Sequence, residues 1–256
     1  MMGSIQKVAV VTGGSGGIGE AVARRLSKDG YRVAVLASTN IEKAEKVARA
    51  IREDGGEALG FACDVRNPQE CDVLVEKVVE RFGKIDTLVN TAGVFKPTPA
   101  GSSSIEDVNQ MIDINLRGTW NMINAVVPSL KAVGAGKIIN IASVAGLTGF
   151  GTYAIYCATK AGIVMMTRAL ACELGRSNIN VNCVAPGNTA TSMNEDIRND
   201  PAMASLKDFM ASRTPSTRVF SEPQDIAGAI SFLASDAARA MHGSCLLMDE
   251  GISAGL

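Results

Sequence analysis

Short runs rich in β-branched residues alternate along the chain with longer stretches whose apolar residues recur every three to four positions. The run "KVAVVTG" precedes an amphipathic stretch from Ile18 to Asp29, "RVAVLAS" precedes Ile41 to Glu53, and "EALGFAC" precedes Pro68 to Phe82, after which "KIDTLVN" follows. The alternation continues with a helix from about Ile105 to Val133, "KIINIAS", a helix from about Tyr153 to Leu174, "NINVNCVAPG", a helix from about Pro223 to Ala234 and "SCLLMDEG". A period near 3.6 marks a helix with one buried face, whereas unbroken apolar runs mark strands buried on both faces. Such strands, separated by helices, pair in parallel through right-handed crossovers. The pattern predicts an α/β fold: one doubly wound domain over residues 1–256, with a seven-stranded parallel sheet covered by helices on both faces.

One long segment, about 188–221, escapes the pattern and mixes Met193, Met203, Leu206, Phe209 and Met210 with polar residues. Irregular segments of this length are commonly functional lids, and these apolar residues need something to cover. We read the segment as a substrate lid with short helices of its own. Over 256 residues the formal net charge is −1, which gives no electrostatic case for binding nucleic acid or an anionic membrane. The opening "MMGSIQKVAVV" lacks the cationic and apolar regions of a secretory signal, and no run reaches the roughly 18 apolar residues of a membrane span, so a cytoplasmic protein is expected. Six scattered cysteines without a C-x-x-C pair read as buried reduced thiols. The lone histidine, His242, cannot build a histidine-based metal site; no metal is expected, and His242 reads as a structural or loop residue.

Chemistry concentrates at two places. "VTGGSGGIG" follows the first strand and opens the first helix, fitting both G-x-G-x-x-G (Gly14, Gly16, Gly19) and G-x-x-x-G-x-G (Gly13, Gly17, Gly19), with Ser15 and Ile18 between the glycines. Glycines there permit a tight turn, let backbone approach a pyrophosphate, and aim helix N-terminal N–H groups at it. An acid about 20 residues onward would favour NAD by accepting from the ribose 2′-hydroxyl. Position 37 is instead Ala37, and Ser38, Thr39 and Asn40 offer donors to a 2′-phosphate. The reading is NADP(H), with NAD(H) as the alternative.

The second place is "YAIYCATK". Tyr156 and Lys160 stand four residues apart, one above the other on a helix face. A cation about 4 Å from a phenol at an effective dielectric near 20 contributes about 4 kcal/mol, roughly three pKa units, which would bring Tyr156 near neutrality for acid/base work. Tyr153 has no lysine four residues on; it and Phe150 are expected to line the substrate pocket, alongside Phe95.

Together, "TGGSGGIG", "CDV" (Cys63 to Val65), "NTAG" (Asn90 to Gly93), Ile114 with Asn115, Ser143, "YCATK" and "PGNTAT" resemble the short-chain dehydrogenase/reductase family over nearly the whole chain. The resemblance implies a Rossmann domain in which Tyr156 is the general acid for ketone reduction and the base for alcohol oxidation. Lys160 would hold the nicotinamide ribose, Ser143 would bond the substrate oxygen, and Asn115 would hold a water that extends the proton path. Asp64 and Val65 would flank the adenine, and Asn90, Ala92 and Gly93 would pack beside the cofactor. Pro186 and Gly187 would lead to Thr189 and Thr191 at the carboxamide. The pattern is 3-oxoacyl reductase-like or alcohol dehydrogenase-like, with three departures. Thr91 stands where Asn is frequent, Glu250 where Gly is usual, and Cys172 at a position often basic in reductases that serve an acidic acyl carrier protein.

The helix carrying Tyr156 is small and apolar round much of its circumference, so it is expected to bury a second face against another subunit; the resemblance, in which such helices form dimer and tetramer interfaces, implies a homotetramer. The leading functional reading is hydride transfer between NADP(H) and a ketone or secondary alcohol, with a mostly apolar small-molecule substrate. An NAD-dependent secondary alcohol dehydrogenase and a non-catalytic dinucleotide sensor are the alternatives.

Overall fold

In the computed structural model, which describes residues 6–254, the apolar run Val8–Thr12 forms β1 at the middle of the molecule, every residue of it buried. Six further parallel strands flank it: β2 (Arg32–Ala37), β3 (Glu57–Ala62), β4 (Thr87–Asn90), β5 (Gly136–Ile141), β6 (Ile179–Pro186) and β7 (Cys245–Met248). The sheet order is β3-β2-β1-β4-β5-β6-β7, as expected for seven parallel strands. The order reverses between β1 and β4, and in open α/β sheets that reversal opens a crevice beyond the carboxyl ends of the strands. The glycine loop leaves β1 at this point, and Asn90 closes β4 beside it.

Helices α1 (Gly17–Lys28), α2 (Ile41–Glu53) and α9 (Pro223–Ala234) cover one face of the sheet. Helices α3 (Pro68–Phe82), α5 (Thr119–Val133) and α6 (Ala154–Leu174) cover the other. Their boundaries follow local chemistry. Asn40 accepts from Glu42 N to cap α2, and Asn67 accepts from Gln69 N and Glu70 N ahead of Pro68, whose missing N–H costs nothing at a first turn. Gly83 ends α3 in the left-handed conformation, φ 83°. Helix α1, by contrast, begins at a glycine, Gly16, with no side chain capping its first N–H groups.

Three expectations change. The helix expected over 105–133 is interrupted: α4 (Ile105–Met111) passes into a π-helical segment, Ile112–Gly118, before α5 resumes. Periodicity of apolar residues does not register one extra residue in a turn. The thiols are all free, but only Cys63, Cys71 and Cys183 are buried; Cys172 is exposed because it lies on the outward stripe of α6. Finally, α7 (Glu195–Asn199) and α8 (Ala204–Arg213) supply the expected helices of the 188–221 segment, yet neither buries a residue. His242 serves a loop, its Nε2 lying 2.8 Å from Asn180 Nδ2. Among the described residues no helix is long and apolar enough to cross a membrane, and no cluster of metal-ligating side chains occurs.

Candidate active site

Tyr156 and Lys160 lie on the first turns of α6, which faces the carboxyl end of β5. Lys160 is 5% exposed, and its Nζ donates to the carbonyl of Ile141, the last residue of β5, at 2.8 Å. The same Nζ stands 5.7 Å from the centroid of the Tyr156 ring. Phe95 packs edge-on to Tyr156, with ring centroids 4.7 Å apart, and stacks on Tyr153 at 4.4 Å. Thus Tyr153 and Tyr156 share one aromatic neighbour, and only Tyr156 has the lysine. Phe150 sits at the rim, its carbonyl accepting from Tyr153 N.

Burial governs the protonation of both groups. It pushes the Tyr156 phenol up to about 12, with the neighbouring Ser143 hydroxyl offsetting part of the rise, although some of the ring surface remains accessible. Burial lowers the Lys160 ammonium to about 8, because desolvation disfavours the charged form. The expectation of a near-neutral phenol is therefore corrected: the sequence argument weighed Coulomb attraction in a half-wet medium and left out the desolvation of both partners. In this pocket lysine, not tyrosine, titrates near neutrality.

Ser143 follows β5 in extended conformation and caps a short 3₁₀ turn, Val144–Gly146, accepting from Ala145 N at 3.1 Å. Its hydroxyl also reaches Pro186 O at 3.5 Å, linking the ends of β5 and β6. Gly146 is what lets this turn press on α6: a Cβ there would lie 2.7 Å from the Lys160 carbonyl carbon. Asn115, fully buried in the π-helical segment, accepts from Val94 N at 2.8 Å and donates to Val94 O at 2.9 Å. Its side chain is consumed by these bonds and by Thr159 Oγ1 at 3.4 Å. Its backbone carbonyl accepts from Thr119 Oγ1 at 2.7 Å, which leaves room there for a water as a second donor.

The glycine loop is built for close approach. Gly13 has φ 61° and would drive a Cβ to 2.9 Å from the Ala92 backbone, so no larger residue fits. A Cβ on Gly19 would collide with the Gly13 carbonyl and lie 2.5 Å from Thr91 Oγ1. Around Gly16, by contrast, the space is open, and Ser15 and Ile18 are half-buried on either side. Thr12 Oγ1 accepts from both Thr91 N and Ala92 N at 3.1 Å, and Thr91 Oγ1 donates to Thr12 O. Thr91 thus ties β4 to the loop after β1. Gly93 brings its backbone beside Asn115 Oδ1 and Lys160 Nζ, 3.3 and 3.8 Å from where a Cβ would sit. Asn90 bonds Asn140 Oδ1 at 3.0 Å, and Asn140 bonds Thr167 Oγ1 at 3.0 Å, a buried polar chain from β4 through β5 to α6.

At the ribose end Ser38 and Thr39 are exposed, while Asn40 has its oxygen in the α2 cap. Asp64 is gripped by Arg66, at 2.6 Å through Nη2, and that guanidinium holds its carboxyl below the usual range. Val65 is buried and fills the space above Gly118, where a Cβ would come within 2.5 Å of Val65 Cγ2. At the other end β6 delivers Pro186, and a Cβ on Gly187 would meet Asp249 Cα at 2.8 Å. Thr189 is 6% exposed with its Oγ1 unpartnered. Thr191 approaches Gly17 of the glycine loop and is tethered by Asn194, whose Nδ2 donates to Thr189 O at 2.9 Å and whose Oδ1 accepts from Thr191 N at 3.2 Å. Arg198 on α7 donates to Thr191 O at 2.9 Å.

A nicotinamide dinucleotide fits this frame on three counts. The uncapped α1 terminus offers N–H groups to a pyrophosphate, the glycines leave a cradle that a Cβ would fill, and Thr189, just beyond β6, holds a buried hydroxyl with no partner of its own.

Residues 7–202 match the family model of the short chain dehydrogenases. The chain belongs to the short-chain dehydrogenase/reductase family. It is 37% identical over 248 residues to the 3-oxoacyl-[acyl-carrier-protein] reductase FabG of Staphylococcus epidermidis, covering 97% of this chain and 99% of that one. Two solved members of the family superpose closely. A gluconate 5-dehydrogenase from Burkholderia cenocepacia, in complex with NADP and tartrate, has a TM-score of 0.92 at 32% identity, with 98% of each chain covered. A single-residue variant of actinorhodin polyketide ketoreductase, with NADPH, has a TM-score of 0.92 at 34% identity, with 98% of this chain and 99% of that one covered. As a member of this family the protein is an oxidoreductase of the dehydrogenase/reductase type.

Sequence reasoning missed Thr12, Asn140, Gly146, Thr159 and Asn194, which set the positions of the named site residues. Only Gly146 carries a sequence signal, a glycine three residues after Ser143; the others become partners only once the sheet order is known.

Proposed function

We propose that the protein interconverts a ketone and a secondary alcohol with NADP(H), as a cytoplasmic homotetramer acting on a mostly apolar small molecule, of which a 3-oxoacyl-type ketone is one candidate. The observation that carries this reading is the half-buried Tyr156, its phenol beside Ser143, with the buried Lys160 ammonium 5.7 Å from its ring centroid. The glycine loop from Gly13 to Gly19 would take the pyrophosphate, Ser38 and Thr39 a 2′-phosphate, Asp64 and Val65 the adenine, Lys160 the nicotinamide ribose, and Thr189 and Thr191 the carboxamide. Support for NADP(H) comes from the missing acid at Ala37 and from the NADP and NADPH held by the two solved relatives. When bound, the nicotinamide supplies or accepts the hydride.

The chain's own residues do the rest. Ser143 donates to the substrate oxygen and fixes it, and Tyr156 gives that oxygen a proton as negative charge builds on it, or removes one in the reverse direction. A phenol held near 12 is fully protonated at neutral pH, so donor occupancy never limits reduction. Lys160, protonated below about 8, favours charge on the phenol oxygen during transfer; raising pH through that value removes the charge. The Asn115 carbonyl would hold a water that returns a proton toward Lys160. Phe95, Phe150 and Tyr153 make the pocket wall, and the 188–221 segment, with Met193 at its start, closes over it as the lid.

Exposed apolar side chains at two places on the surface support the tetramer. Trp120 and Met165, on α5 and α6, are 45% and 59% exposed, and Phe232 and Leu247, on α9 and β7, are 43% and 47% exposed. One self-complementary patch makes a dimer, and two distinct ones make a tetramer with three two-fold axes.

The test is NADPH oxidation across a panel of ketones, with kcat/KM compared for NADPH and NADH. Reduction should fall off above pH about 8, and Tyr156→Phe should lose at least about a thousandfold in kcat while still binding dinucleotide. A strong NADH preference would replace the cofactor assignment, and binding without turnover, indifferent to Tyr156→Phe, would favour a sensor.

A further inference from the structure

Glu250 occupies a left-handed backbone position, φ 57°, of the kind that favours glycine. A glutamate there is disfavoured by its Cβ, so something in the fold must hold it. Its side chain is 10% exposed, and Oε1 accepts from Ser221 Oγ at 2.8 Å and from Arg218 Nη2 at 2.8 Å. Arg218 turns its other terminal nitrogen to Asp225 at 3.0 Å, on the first turn of α9. Glu250 therefore bonds two residues of the returning end of the 188–221 segment and, through Arg218, joins it to a helix of the main body.

Ser221 is the residue on which the outgoing end of that segment leans. Ser221 N donates to Asn188 O at 2.8 Å, and Ser221 O accepts from Ala190 N at 2.9 Å, which makes Thr189 and Ser221 an isolated parallel bridge. Thr189 carries the buried unpartnered hydroxyl of the site. The path is short: Glu250 holds Ser221, and the Ser221 backbone holds Thr189 by the residues on either side.

We propose that Glu250 is a positioning residue which clamps the two stems of the 188–221 segment together and thereby sets the Thr189 hydroxyl for the dinucleotide. The inference rests on reading that segment as the lid and Thr189 as a dinucleotide contact. It also accounts for a glutamate in a backbone conformation that suits glycine: backbone ease is exchanged for a carboxylate that glycine cannot supply.

Glu250→Gly separates the two effects, since it relieves the backbone while deleting the clamp. NADPH titration followed by fluorescence should give a Kd raised about tenfold, the loss expected when charge-assisted hydrogen bonds go. Trypsin should cleave faster at the exposed Lys207 and Arg213 within the segment, while Tm stays level or rises. KM for NADPH should rise more than kcat falls. Glu250→Gln, which keeps a neutral acceptor, should recover part of the affinity. Wild-type Kd and wild-type cleavage in Glu250→Gly would overturn the proposal. If that variant fails to fold, Ser221→Ala, with the backbone at 250 untouched, must show the same faster cleavage and weaker binding, and normal values there would overturn it equally. An enzyme that turns over no ketone would defeat the functional reading yet leave the titration and the cleavage assay readable.

Discussion

Lys160 holds its charge where water barely reaches, and the drop of its pKa from 10.5 to about 8 measures the free energy this requires. Between those values the unfolded chain binds more protons than the folded one, so this residue makes stability rise with pH from about 8 to 10.5 and exacts its full cost below 8. Lys160→Met should therefore be more stable than the parent at pH 7, by roughly 1–3 kcal/mol once the lost bond to Ile141 O is counted. The gap should close as pH approaches 10.5, while dinucleotide affinity falls. Urea unfolding of both proteins at several pH values measures this; a parent more stable than the variant at pH 7, or a gap indifferent to pH, would refute it. Using the difference between the two proteins matters, because the raised Tyr156 phenol pulls stability the other way above pH 10.

At the scale of elements, the loop between β1 and α1 has no slack. Gly19→Ala puts a methyl against the Gly13 carbonyl and Thr91 Oγ1, and moving that backbone should lower stability by about 1–3 kcal/mol and abolish measurable dinucleotide binding. Gly16→Ala, facing open space, should fold normally, and calorimetric titration of both variants tests the contrast. The order of strands and helices was legible because buried parallel strands are apolar without interruption and covering helices keep one apolar stripe. Tyr156, Lys160 and the glycines were legible because their spacing is itself the chemistry. What escaped depends on partners distant in sequence. The π-helical turn at Ile112–Gly118 leaves no trace in periodicity, and the Asn115 side chain proves to be spent on Val94, 21 residues away. The phenol's pKa escaped too, since burial is a property of the assembled pocket.

For the whole molecule, the proposed tetramer predicts an order of disassembly. Met165→Glu places a charge in the α5–α6 patch, where it would be desolvated without a partner, and should leave dimers joined through α9 and β7. Light scattering coupled to gel filtration should read four subunits for the parent and two for the variant; an unchanged mass would remove that patch from the assembly. The widened turn at Ile112–Gly118 connects this surface to the chemistry. Asn115, within it, faces inward, and Trp120, five residues later on α5, faces outward. A π-helical turn takes up one amino acid more than an α-helical turn while the helices on either side keep their faces. Its supernumerary residue lets Asn115 reach the Val94 backbone inside while Trp120 stays turned outward, so a deletion there should disturb the pocket and spare the surface.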